Sequence, residues 1–376
     1  MYMNRRRQLL RHLAALVAGL LGAGMVAAPQ ANAGSAATAV TAVTCDVTTA
    51  MTTAAAYWVA HGTDTASNDW QNSTFHVGNL AMVRTTGVSN HVTLPWAQAN
   101  GYDLQTGPNP FFPDYEAAGE AYLALQYFHP DPTTLAPLQA RVDAEVASVH
   151  TGQDRYWNYV DALNMAMPSF AQLGVMNGSS AELDAMHTLF EYTKSHLFDQ
   201  RTGLWWRDAH YAHTNVFWSR GNGWAIAALA KVLSVLPATD PHRAEYLGVY
   251  RRMAVALLHD QRRDGFWNVD LNNPFDHPGP ETSGTALFTY ALAWGVNNGV
   301  LPARVYTPVV RRAWHGMATE ALRPSGLLGY VQGVASGPWG AQPVTADDTA
   351  AYGVGVFLLA GQQVAALTPA CAGTPS

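Results

Sequence analysis

Charge is scarce in this chain of 376 residues: only 13% are Asp, Glu, Lys or Arg, against roughly 25% in a typical soluble domain. With 21 basic and 27 acidic residues and a net charge of −6, no basic stretch lies beyond the N-terminus. A nucleic-acid partner is therefore disfavoured. Cysteine is almost absent: Cys45 and Cys371 are the two present, and their spacing fits no metal or redox motif. Past the N-terminus no apolar run is long and glycine-poor enough to span a bilayer. Alternating β-branched segments of strand type are few as well. What the chain does have is 48% hydrophobic residues, with 12 Trp, 16 Tyr and 12 Phe. Such a content buries a large core and excludes disorder. Many aromatics among few charges suit carbohydrate, because sugar rings stack on aromatic faces.

The first 33 residues read as an export signal and not as part of the fold. Arg5-Arg6-Arg7 precede an apolar run from Leu9 to Ala28, and Ala31-Asn32-Ala33 offers a small-x-small cleavage site. Arg6-Arg7-Gln8-Leu9-Leu10-Arg11 also fits the twin-arginine export pattern. An uncleaved membrane anchor is the alternative. The expected location is periplasmic or extracellular, with no stable membrane association after signal removal. Residues 34–50, rich in Ala, Thr, Val and Ser, read as a flexible segment, and 51–376 as one domain. In an oxidising compartment Cys45 and Cys371 are expected to form a disulfide, which requires the two ends of the domain to meet.

A single domain of this length exceeds the usual size of one core, and an internal repeat resolves the difficulty. Thr202-Gly203-Leu204-Trp205, Asp264-Gly265-Phe266-Trp267 and Ser325-Gly326-Leu327-Leu328 share a polar-Gly-apolar start, with glycines 62 and 61 residues apart. Each turn is followed by a polar loop opening onto an apolar, small-residue segment such as Ala225 to Leu236. These segments are apolar on most sides and predict helices buried all round. Amphipathic stretches between them, such as His242 to Asp260, suit an outer layer. One outer and one inner helix per repeat predicts five to six hairpins. A closed all-α double ring accommodates them and brings the termini together. An open solenoid would need polar end repeats, and Val354 to Leu367 is strongly apolar.

In such a ring the polar loops before the inner helices surface at one end. They contain Asp114 and Glu116; Trp157 and Asp161; Trp218, Arg220 and Trp224; Glu281, Thr282 and Ser283; Asp347, Asp348 and Thr349. Carboxylates, one Arg and several Trp suit an acid–base site in an aromatic cleft. Each element also has a plain structural reading. Asp161 can cap the helix it starts, as can Thr282, Ser283 and Thr349, and Trp205, Trp206 and Trp267 read as core. His210 and His213 lack the acidic partners of a zinc site. No nucleophile elbow, phosphate loop or dinucleotide fingerprint is present, and no metal or cofactor is expected.

Trp218-Ser219-Arg220-Gly221-Asn222-Gly223-Trp224, Pro280-Glu281-Thr282-Ser283-Gly284-Thr285-Ala286 and Pro343-Val344-Thr345-Ala346-Asp347 resemble glycoside hydrolase family 105. The likeness covers nearly all of the chain after Asn100. It implies an (α/α)6 barrel, in agreement with the repeat count, and the hydrolysis of 4,5-unsaturated uronic acids left by polysaccharide lyases. The family includes unsaturated rhamnogalacturonyl hydrolases and is related to the unsaturated glucuronyl hydrolases, so a rhamnogalacturonan-type oligosaccharide is the expected substrate. Val160 to Pro168 matches the segment of the family's acid–base Asp, which assigns that role to Asp161. Asp114, five residues before Gly119, matches the second Asp. Arg220 matches the substrate-site Arg, flanked by Trp218 and Trp224. Arg207 stands where characterised members often carry a His, a departure that leaves the following sugar open. Trp157, Arg207 and His213 complete the expected substrate-binding set. Two other readings compete: an inverting hydrolase of a saturated glycoside on the same barrel, and a glycan-binding protein without catalysis.

Overall fold

The structure, a computed structural model, describes residues 33–367, with side chains from Val47 onward. Six helices form an inner ring: α2 (Trp70–Thr86), α4 (Ala117–Leu125), α6 (Ala162–Asn177), α8 (Ser219–Val235), α10 (Thr282–Asn297) and α12 (Ala351–Ala366). Six alternate with them on the outside: α1 (Ala33–His61), α3 (Thr93–Ala99), α5 (Ala136–His150), α7 (Ser180–Leu197), α9 (Arg243–Asp260) and α11 (Ala303–Gly316). Each inner helix packs on the next, and α12 returns to α2, so the ring is closed. This is the (α/α)6 barrel.

The two layers follow from sequence pattern. In α10 every residue from Thr282 to Gly295 is buried, as an inner helix requires. In α11 the buried residues Tyr306, Val309, Val310, Ala313 and Trp314 recur at helical spacing, while Arg304, Arg311 and Arg312 are exposed. The closing contact is made backbone to backbone. A Cβ placed on Gly78 of α2 would lie 2.0 Å from the Gly355 carbonyl oxygen of α12, so that crossing admits no side chain.

The sequence repeat becomes a repeated hairpin. After α7, β1 (Phe198–Asp199) pairs with β2 (Leu204–Trp205); after α9 and α11 the bridges are Gln261 to Trp267 and Leu322 to Leu328. Gly203, Gly265 and Gly326 turn these hairpins at φ 76°, 96° and 95°, a left-handed conformation that glycine adopts without strain. Each packs on the backbone of the next outer helix: Gly203 on Arg252 of α9, Gly265 on Arg312 of α11, Gly326 on Thr53 of α1. The third hairpin thus docks the last repeat onto the first.

The segment 34–50, expected to be flexible, falls inside α1. Val47, Ala50, Met51 and Ala54 are buried, and their spacing is a helical stripe hidden in an Ala- and Thr-rich composition. Residues 1–32, the Cys45 side chain and Cys371 lie outside the described residues, so the export signal and the disulfide do too. The helices nearest them, α1 and α12, do pack together. Among the described residues no helix is long and apolar enough to cross a membrane.

Candidate active site

The lead-in loops of the inner helices converge at one end of the barrel and are stitched to one another. The Val160 amide donates to the Arg207 carbonyl at 2.8 Å, Ser219 to Val269 at 2.9 Å, Thr282 to Tyr330 at 2.8 Å and Tyr330 to Thr345 at 2.9 Å. Tyr159 and Asp208 form a further bridge. This network fixes the backbone beneath each functional side chain.

Asp161 immediately precedes α6, yet its side chain makes no capping bond. It is 8% exposed, and its Oδ2 is buried without a hydrogen-bond partner. The Arg207 Nε lies 3.4 Å from that oxygen, close enough for attraction but not aligned as a hydrogen bond. Burial raises the Asp161 pKa, and Arg207 and then Arg220 oppose the rise. Asp114 sits in a short 3-10 turn, Pro113–Glu116, ahead of α4. Burial pushes its pKa up to about 6, the Asp161 charge adds to the rise, and the hydrogen bond from Tyr159 restrains it. That bond runs from Tyr159 Oη to Asp114 Oδ1 at 2.6 Å. The Asp161 charge is thus felt at Asp114, though burial dominates. The capping reading of Asp161 is not met, because its side chain makes no capping bond.

Arg207 is held over the Tyr159 ring at 4.9 Å, and its Nη1 donates to Asp208 Oδ2 at 2.7 Å. Its Nε is left without a hydrogen-bond partner, and the side chain is 21% exposed. One donor of this guanidinium is thus free to meet an anion beside Asp161.

Arg220 is placed differently from expectation. It is fully buried, with Nη1 donating to the Gln332 carbonyl and Nη2 to the Gly333 carbonyl at 2.9 Å. Its guanidinium lies between the Trp218 ring at 4.6 Å and the Tyr352 ring at 4.9 Å. Arg220 anchors the loop at 332–333 and supplies positive potential to Asp161; it does not reach the surface. Trp157, Trp218 and Trp224, expected to touch substrate, are buried too. Trp157 packs on Phe170, Trp224 on Trp70, and Trp218 donates to Gln332 Oε1 at 2.9 Å. Their bulk buttresses the site from beneath. His213 is exposed at the rim, its ring 5.1 Å from that of Trp206. Trp205, Trp206 and Trp267 are core, as read from the sequence.

Several participants had no assigned role in the sequence reading. Tyr159 and Asp208 stand beside assigned residues, but nothing marked their side chains as partners of Asp114 and Arg207. Gln332 lies in a segment without any motif, yet its amide reaches the carbonyls of Gly337, Pro338 and Gly340. The caps differ as well: Glu281, not Thr282 or Ser283, caps α10 by accepting from the amides of Ser283 and Gly284 at 2.9 and 2.8 Å. Thr349 Oγ1 makes no hydrogen bond. On the outer layer His187, Glu191 and Glu245 have the spacing of metal ligands, but the Lys194 ammonium already pairs with both glutamates.

A closed (α/α)6 barrel with two interacting carboxyls and an arginine at its open end defines a carbohydrate-active enzyme. The chain belongs to glycosyl hydrolase family 88, which it matches over residues 45–368, and it is a glycoside hydrolase. The motifs resembling family 105 lie inside that match. An unsaturated 3S-rhamnoglycuronyl hydrolase from Formosa agariphila is 29% identical over 323 residues, 80% of this chain and 85% of that protein. A family 88 glycosyl hydrolase structure from Bacteroides vulgatus superposes with a TM-score of 0.81 at 32% identity, covering 86% of this chain and 99% of the other. A structure described as a polysaccharide lyase matches with a TM-score of 0.81 at 32% identity, covering 86% and 97%.

Proposed function

We propose that the protein removes a 4,5-unsaturated uronic acid from the non-reducing end of oligosaccharides released by polysaccharide lyases. The observation that carries this reading is the unpartnered, buried Oδ2 of Asp161 beside a free donor of Arg207. The C4=C5 bond of such a uronate is an enol ether, since C5 carries the ring oxygen. Asp161, in its protonated form, gives its proton to C4 and leaves an oxocarbenium cation at C5. Water adds at C5 as the Asp161 carboxylate takes up one of its protons. The hemiketal then opens: the bond from C5 to the ring oxygen breaks, C5 becomes a ketone and the ring oxygen takes the hydroxyl proton. C1, now a hemiacetal, collapses to an aldehyde and releases the rest of the saccharide as an alcohol. The uronate carboxylate pairs with Arg207, which draws the guanidinium away from Asp161. Loss of that counter-charge favours the protonated acid. Asp114, held ionised by Tyr159, keeps the shared proton on Asp161.

The relative's rhamnoglycuronyl specificity favours rhamnose as the sugar that follows, in a rhamnoglycuronyl rather than a rhamnogalacturonan setting. The protein is screened against lyase-digested ulvan, pectin, glycosaminoglycans and alginate, following the ultraviolet absorbance of the double bond. The absorbance falls on turnover, and Asp161→Asn loses at least about a hundredfold in kcat with folding unchanged. Full activity in that variant refutes the role of Asp161. The likeness to a polysaccharide lyase favours a second reading, β-elimination on an intact polymer. The same assay separates the two, because elimination makes the absorbance rise.

A further inference from the structure

Beyond the carboxyl pair, the open end of the barrel carries an aromatic surface that the reaction leaves unused. Trp339 is 49% exposed and Phe275 88% exposed. Trp339 is nonetheless held in place. Its Nε1 donates to Asp276 Oδ2 at 2.7 Å, and its ring lies 5.7 Å from that of Tyr211. The loop beneath it is wrapped around the Gln332 amide, which donates to Gly340 at 2.7 Å. Gln332 is in turn tied to Trp218 and Arg220. Gly337 lets this loop close on Tyr211: a Cβ there would lie 2.1 Å from the tyrosine hydroxyl.

The surface is continuous with the active site through Tyr211. The turn that starts at Arg207 and Asp208 carries it, with the Tyr211 amide donating to the Asp208 carbonyl at 3.1 Å. The Tyr211 hydroxyl also feels the charges of Asp208 and Arg207. From Asp161 the order is thus Arg207 and Tyr211 on one turn, then Trp339 on another loop. Phe275 adjoins Asp276, the residue that fixes the indole.

We propose that Tyr211 and Trp339 form a stacking platform for the sugar rings beyond the two that flank the cleaved linkage, making this enzyme one that prefers oligosaccharides to disaccharides. A pyranose ring presents C–H groups that pack on an indole face, and an indole already oriented by Asp276 loses little freedom on binding. The assignment of the first ring as an unsaturated uronate rests on the function proposed above; the platform itself does not depend on it.

The test compares an unsaturated disaccharide with an unsaturated tetrasaccharide from the same lyase digest. Wild-type enzyme shows a lower KM for the tetrasaccharide. Trp339→Ala raises the tetrasaccharide KM roughly three- to tenfold with kcat kept, and narrows the difference between the two substrates. Trp339→Phe restores most of that difference. Equal effects on both substrates, or no effect on either, overturn the platform. If wild-type enzyme turns over neither substrate, the uronate reading fails and the platform is judged by calorimetric titration with the tetrasaccharide. Binding weakened by Trp339→Ala then supports it, and binding unchanged overturns it.

Discussion

An aspartate at the start of a helix usually turns back to cap it, so the free side chain of Asp161 is a departure that needs a reason, and the proposed acid–base role supplies one. Its neighbour Asp114 depends on a single hydroxyl. Tyr159 donates to its carboxylate and stabilises the charged form, against burial and the Asp161 charge that both favour the neutral one. Tyr159→Phe removes that donor and keeps the ring under Arg207, so the Asp114 pKa rises from about 6. The acidic limb of the kcat/KM profile shifts to higher pH by roughly half a unit to one unit, with little change in melting temperature. An unmoved limb shows that Asp114 ionisation does not govern it. At this scale the sequence exposed Asp161, Asp114 and Arg207 because each lies in a motif-bearing loop. It did not expose Tyr159 or Gln332, whose roles arise from distances across 45 and 112 residues of chain. The buried placement of Arg220 was equally hidden, since a motif names a residue without saying which way its side chain turns.

The repeated hairpin was legible at the level of elements because a left-handed turn between apolar residues selects glycine, and the selection recurs at a fixed period. Its purpose was not: three glycines form the seams between successive outer helices. A substitution separates the two demands on glycine. Gly152 has φ 80° with open space around it, whereas Gly265 has φ 96° and a Cβ there would lie 2.3 Å from the Arg312 carbonyl oxygen. Gly152→Ala loses about 1–2 kcal/mol from backbone strain alone. Gly265→Ala loses at least about 3 kcal/mol, because strain and a backbone collision add. Urea denaturation of the two variants measures the difference; equal losses refute the seam. The caps were less legible. Hydroxyl residues are the usual capping choice, and Glu281 displaced them because its carboxylate also accepts from Gln332 across the loop, a demand that no local pattern announces.

For the molecule as a whole, scarcity of charge reflects a barrel whose inner ring meets only other helices, and the acids that remain buried therefore become conspicuous. Glu116 and Glu145 are both fully buried, one in the turn that carries Asp114 and the other on α5, and they interact directly. Arg141 is the cation beside them; Tyr156, which also feels Asp154, completes the group. Burial pushes Glu116 up to about 7, and burial together with the Glu116 charge pushes Glu145 well above the usual carboxylate range. With one proton shared, the two acids and Arg141 sum to no net charge. For Glu116 the folded-state pKa exceeds the unfolded one, so the folded chain binds more protons there between about pH 4.5 and 7, and Glu145 carries the excess to higher pH. The stabilisation is complete below that window and is lost as pH rises through it. Glu145→Gln keeps the shape of a protonated carboxyl but cannot ionise, and it leaves Glu116 a single charge paired with Arg141. Melting temperatures between pH 5 and 8, on the order of physiological conditions, therefore fall less steeply for this variant than for the wild type, and the two curves cross as the wild-type pair loses its proton. Parallel curves would mean that the pair holds no shared proton, and that the turn bearing Asp114 rests on packing alone.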